Sequence, residues 1–130
     1  MNKSILIVED EVILQELYEL VLEAKGYVVY TANDGAEGLK QLAATKPDMV
    51  LLDVLMPVLD GKDFLRSINT NDYKNTKIVV YSNLSDRETE AEMLRLGACR
   101  FVLKSSMTTQ DLIALVEEVT DNDLTSATEV

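Results

Sequence analysis

Along the chain, short continuous apolar runs alternate with longer stretches in which apolar residues recur every three or four positions. The runs "SILIV" (4–8), "YVVYTA" (27–32), "MVLL" (49–52, ahead of Asp53), "KIVVYS" (77–82) and "CRFVLK" (99–104) have the length and content of strands, and the third reads as buried on both faces. Between them, helical spacing links Ile13, Leu17, Leu20, Val21 and Ala24, then Ala36, Leu39, Leu42 and Ala43. It returns through Phe64, Leu65 and Ile68, through Met93, Leu94 and Leu96, and through Leu112, Ile113, Val116 and Val119. These apolar positions are the expected core faces of five helices. Gly26, Pro47 and Gly97 act as stops, while Ser85-Asp86-Arg87-Glu88 and Thr108 with Asp111 read as helix caps.

Five strands alternating with five helices predict an α/β fold with a doubly wound parallel sheet. Parallel neighbours need crossover connections, and right-handed crossovers place helices on both faces. At 130 residues the chain suits one domain with one proper core. We expect that domain over residues 1–121, with 122–130 as a tail or the start of a linker, because "DNDLTSATEV" loses the periodicity.

Charge narrows the function. The 12 basic and 23 acidic side chains leave a formal net of -11, so direct nucleic-acid binding, which depends on Lys and Arg, is not expected of this domain. Cys99 has no partner for an intrachain disulfide, and with no His a zinc site of the usual ligand types is excluded. The apolar N-terminal run is too short for a membrane span or a secretory signal, which leads us to expect a cytoplasmic protein.

Chemistry gathers at the strand ends, where ligands bind in open parallel sheets. The first strand ends in Glu9 and Asp10, the third in Asp53, the fourth in Ser82 and the fifth in Lys104. A carboxylate directly after Met49-Val50-Leu51-Leu52 needs compensation, since burying an unpaired charge costs several kcal/mol or more. Three neighbouring acids repel one another unless one is protonated or a cation intervenes. Oxygen-only donors favour a hard ion, and Mg2+, which binds through one or two carboxylates plus phosphate oxygens, fits them well.

The motifs "ILIVEDE", "VLLDVLMPVLDG", "IVVYS" and "FVLK", in this order and spacing, resemble the receiver domain of bacterial two-component response regulators over about residues 3 to 120. The resemblance implies a flavodoxin-like, CheY-like sheet of order 2-1-3-4-5. It implies that Asp53 is the phosphoacceptor and that Asp10, with Glu9, is the metal-binding acidic pair. Asp53 and the backbone carbonyl of Leu55 would complete the protein's share of the Mg2+ shell. Lys104 and Ser82 would hold the phosphoryl oxygens, with Ser82 and Phe101 as the switch pair that carries a change to the face of strand 4, helix 4 and strand 5.

The donor would be a sensor histidine kinase or a phosphotransfer protein, and the output an unknown downstream protein or an attached domain. Neither a membrane nor nucleic acid is an expected partner of this domain, and a homodimer is compatible with the family. Such a protein is a phosphorylation-controlled switch that promotes its own aspartyl phosphorylation and dephosphorylation, and is no turnover enzyme.

Two departures stand out. Lys104 is followed by Ser105, where the family usually has a proline joined by a cis bond. A non-proline cis bond costs about 2.5 to 4 kcal/mol, which leaves either a trans bond with a rearranged loop or a strained cis bond sustained by contacts. Phe101 stands where tyrosine is frequent. The second residues beyond Asp53 and Ser82 are the apolar Leu55 and Leu84, expected to shield an acyl phosphate from water and make it long-lived.

Three other classes compete. A receiver-like interaction module that is never phosphorylated finds its support in Ser105. A haloacid dehalogenase would need an acid where Leu55 stands. The flavin phosphate of a flavodoxin would be repelled by Glu9 and Asp10.

Overall fold

The computed structural model describes residues 2–56, 58–68, 70–83 and 87–128. Its elements run β1 (Ser4–Val8), α1 (Val12–Ala24), β2 (Val28–Ala32), α2 (Gly35–Thr45), β3 (Met49–Asp53) and α3 (Gly61–Ser67). They continue with β4 (Lys77–Ser82), α4 (Arg87–Arg95), β5 (Arg100–Leu103) and α5 (Thr109–Thr128), and short 3-10 turns lie at Thr70–Tyr73 and Lys104–Ser106. The five strands form one sheet in the order β2-β1-β3-β4-β5, with every neighbouring pair parallel.

Strand alternation divides the core into two layers. On one face, Leu6, Val8, Val50, Leu52, Ile78 and Val80 pack with Leu42 of α2, Phe64 and Leu65 of α3 and Met93 of α4. On the other, Ile5, Ile7, Met49, Leu51, Val79 and Tyr81 meet Tyr18 and Leu22 of α1 and Leu112, Leu115, Val116 and Val119 of α5. Burial on both faces is why β1, β3 and β4 read as unbroken apolar runs.

The helix caps follow the sequence chemistry. Asp34 accepts from the Glu37 N–H at 2.8 Å to open α2, and Asp60 accepts from the Asp63 N–H at 2.9 Å to open α3. Thr108 and Asp111 form a reciprocal box at the start of α5, each side chain accepting from the other's N–H at 3.0 Å. The cap read at Ser85-Asp86-Arg87-Glu88 falls partly outside the described residues, as does Leu84.

The expected face of α1 needs correction. Ile13, Leu17 and Leu20 are exposed and Val21 is only half-buried, while Gln15, Tyr18 and Leu22 turn inward. Ala24, Ala43 and Leu94 are exposed too, and Ile68 lies just past the end of α3. The backbone of α5 stays helical to Thr128, beyond the last periodic position, Val119. Among the described residues, no helix is long and apolar enough to cross a membrane.

Candidate functional site

The ends of β1 and β3 lie side by side, with Val8 paired to Leu52, and this register brings Glu9 and Asp10 beside Asp53. The backbone at Glu9 is fixed from two directions. Its N–H donates to the Ala32 carbonyl at 3.0 Å, and its own carbonyl accepts from Gln15 Nε2 at 3.0 Å. That buried amide also donates to the Ala32 carbonyl and to Asn33 Oδ1, which ties α1 to the ends of β1 and β2. The polar Gln15 on the inward face of α1 therefore aligns the strand end that carries the acids.

One carboxylate oxygen from each of Glu9, Asp10 and Asp53 lies within 4.8 Å of the other two. Glu9 and Asp53 are buried and Asp10 is exposed, so the group opens to solvent on one side. An oxygen-only set of this size fits a small hard cation.

The Lys104 ammonium stands among these acids. Its Nζ lies 2.7 Å from Glu9 Oε1, 3.4 Å from Asp53 Oδ2 and 3.8 Å from Glu11 Oε2. The lysine thus ends on the same cluster although β5 stops one residue earlier, at Leu103, and Lys104 opens the 3-10 turn that follows. Every peptide bond among the described residues is trans. With Ser105 after it and a trans bond between them, Lys104 still carries its ammonium to the acids.

Burial pushes the Asp53 carboxyl up to about 6, the Glu9 charge adds to the rise, and Lys104 opposes both. Burial likewise pushes Glu9 upward, but hydrogen bonds from Lys104, Tyr81 and the Glu11 N–H outweigh it and hold Glu9 below the usual range. Asp10 is raised by desolvation and by Glu9. Lys104 loses by burial and gains more from Glu9 and Asp53, so its pKa rises. The surroundings thus favour the charged forms of Glu9 and Lys104 and, at Asp53, the proton.

Ser82 is buried at the end of β4, one residue beyond Tyr81, which pairs with Asp53 across the sheet. Leu55 lies two residues past Asp53 in the loop to α3, with its side chain 60% exposed. Phe101 is not at the acids: it pairs with Val80 and is half-buried against the layer that holds Met93 and Ala98. Tyr81 is a site residue that the sequence pattern does not single out. Its hydroxyl donates to Glu9 Oε1 at 2.5 Å, and the Lys104 ammonium sits 5.1 Å from the centre of its ring. A signal existed, because a tyrosine inside a strand buried on both faces needs a partner for its hydroxyl.

The chain is similar to known signalling proteins over most of its length. It is 46% identical over 68 residues to the alkaline phosphatase synthesis transcriptional regulatory protein PhoP of Bacillus subtilis, covering 52% of this chain and 28% of that protein. It is 35% identical to the transcriptional regulatory protein CseB of Streptomyces coelicolor, covering 77% of this chain and 42% of that one. The chain therefore spans less than half the length of these relatives.

Among solved structures, the chemotaxis protein CheY4 of Vibrio cholerae is 27% identical with a TM-score of 0.84, covering 92% of this chain and 99% of that one. A CheY-like receiver from Methanospirillum hungatei reaches a TM-score of 0.89 at 24% identity, over 97% of this chain and 99% of the other, which supports the fold. The response regulator receiver domain family matches residues 5–117, and this chain, with its CheY-like sheet and its acids and lysine at the strand ends, belongs to that family of two-component signalling switches.

Proposed function

We propose that this domain is a phosphorylation-controlled switch of a two-component phosphorelay, with Asp53 as the phosphoacceptor. The observation that carries the reading is the Lys104 ammonium set between the buried Glu9 and Asp53, beside an acidic group that fits a divalent ion. Asp10, Asp53, Glu9 and the Leu55 carbonyl would hold Mg2+, which when bound would neutralise the charge that repels a phosphoryl group.

An Asp53 oxygen attacks the phosphorus of a phosphohistidine on a sensor kinase or phosphotransfer protein. The new O–P bond forms as the P–N bond breaks, and the imidazole nitrogen leaves with the bonding pair. Lys104 and Ser82 then hold the phosphoryl oxygens. The added charge of roughly -1.5 to -2 beside Ser82 biases Phe101 and the β4, α4 and β5 face toward a downstream partner or an output domain. Leu55 and Leu84 keep water from the acyl phosphate. The residue range 1–121, the cytoplasmic location and the absence of turnover chemistry belong to the same reading.

Acetyl phosphate, with and without Mg2+, followed by intact-mass measurement tests it. The expected result is a gain of one phosphoryl group that needs the metal and vanishes in Asp53→Ala. No gain with Mg2+ present would make the domain an interaction module that works without phosphate.

A further inference from the structure

The receiver reading leaves Tyr81 without a role, yet its hydroxyl is the second donor on the oxygen that Lys104 occupies. Glu9 Oε1 takes the Tyr81 hydroxyl and the Lys104 ammonium together, while Oε2 takes the Glu11 N–H at 2.9 Å. Glu9 and Tyr81 are both fully buried. The Lys104 ammonium lies over the Tyr81 ring, within cation–π range, and 3.4 Å from Asp53. It therefore rests on Glu9 and has only a short distance to cover to reach whatever Asp53 carries.

Resting on the reading above, we infer that Tyr81 is a positioning residue that holds Glu9 in place while Lys104 moves from Glu9 to a phosphoryl group on Asp53. A buried carboxylate oxygen left without a donor is penalised far more than one that loses one of two donors. With Tyr81 present, Glu9 Oε1 keeps a hydrogen bond after the lysine departs. Without the hydroxyl, departure leaves that oxygen with no hydrogen-bond donor from the protein, so Lys104 stays on Glu9 and the phosphorylated state is disfavoured. With Mg2+ alone, Lys104 has no phosphoryl group to move to and still supplies a donor to Glu9, so loss of the hydroxyl costs metal binding less than it costs the phosphorylated state.

Tyr81→Phe keeps the ring under Lys104 and its contact with Tyr18, whose ring centre is 6.1 Å away, and removes only the hydroxyl. A hydrogen bond to a charged group contributes roughly tenfold or more to an equilibrium. The variant should therefore bind beryllium fluoride about tenfold more weakly in the presence of Mg2+ and take phosphate from acetyl phosphate correspondingly more slowly. Its affinity for Mg2+ alone, read from backbone amide shifts, should fall by clearly less than its affinity for beryllium fluoride, because Lys104 then still donates to Glu9 Oε1.

Unchanged beryllium fluoride binding in Tyr81→Phe overturns the inference, and so does an equal loss in both titrations, which would mark a general role in the site. The parent chain supplies a check that needs no variant. In proton NMR spectra its Tyr81 hydroxyl should stay protected from exchange when beryllium fluoride binds, while the Lys104 ammonium signal moves. A hydroxyl signal lost on binding overturns the proposal. A parent chain that takes no phosphoryl group at all fails the receiver reading itself, and this inference with it, whereas a phosphorylated parent with an indifferent Tyr81→Phe fails this inference alone.

Discussion

The residue with the most chemistry to regulate is Asp53, because it is the one acid of the cluster poised to exchange a proton near neutrality. Its carboxyl is pushed up to about 6 by burial and by Glu9, against the pull of Lys104. Glu9 is held below the usual range by the donors around it, and its charge adds to the rise at Asp53. A divalent ion needs the ionised carboxylate, so a proton competes with it below that pH. We expect the Mg2+ dissociation constant to be flat above about pH 7 and to rise toward tenfold per unit below about pH 6. The metal-free stability has a matching sign: folded Asp53 keeps its proton where the unfolded chain has lost it, so its contribution falls as pH rises from about 4 to about 6. Calorimetric titrations at three pH values check the affinity, and a constant value between about pH 5 and 6 would exclude Asp53 as a ligand. The acids and the lysine were legible because each ends or follows an apolar run. Tyr81 was not, since inside such a run a tyrosine looks like core until the partner of its hydroxyl is known.

At the scale of elements, the site depends on how closely the loop after β3 lies against the start of α2. The Gly35 N–H donates to the Leu59 carbonyl at 3.1 Å, and a Cβ at Gly35 would come within 2.1 Å of that oxygen. The contact is with backbone, which cannot rotate away as a side chain would. Gly35→Ala should therefore destabilise the fold by about 1 to 3 kcal/mol, the range for forced overpacking, and displace the loop that carries Leu55. Urea denaturation measures the loss, and a change under about 0.5 kcal/mol would mean that the two elements separate freely. Such contacts between elements are invisible to periodicity, whereas the elements themselves are not. The inner strands β1, β3 and β4 were legible because burial on both faces makes them continuous apolar runs, while the half-buried edge strands β2 and β5 showed as short β-branched and aromatic runs. The inward face of α1 was hidden because periodicity follows apolar residues, and here Gln15 faces in for the hydrogen bonds of its amide and Tyr18 for the packing of its ring, while Ile13, Leu17 and Leu20 face out. The turn after β5 was equally hidden, as the sequence marks the loss of proline but not the path that replaces it.

For the whole molecule, the two packed layers explain order and the charge explains its sensitivity to ions. Acids outnumber bases 23 to 12, and the cations that are paired serve local bridges, such as Lys62 and Arg66 to Glu92 between α3 and α4, or Arg100 to Glu118 between β5 and α5. Exposed bridges of this kind contribute little and weaken with salt. The surplus of negative charge acts the other way. At about 0.01 M salt the screening length of about 30 Å spans a domain of this size, so every unpaired carboxylate feels the others, and at about 0.15 M it shrinks to about 8 Å. Repulsion among many charges at long range is lost faster on screening than attraction within a few close pairs. The net effect of monovalent salt should therefore be stabilising, by about 1 kcal/mol, which for a domain of this length raises Tm by about 3 to 5 °C. Melts in a chelator, which removes divalent ions from the comparison, isolate this term. A Tm that falls with added salt would show that the bridges, and not the surplus of acid, govern the electrostatics of the fold.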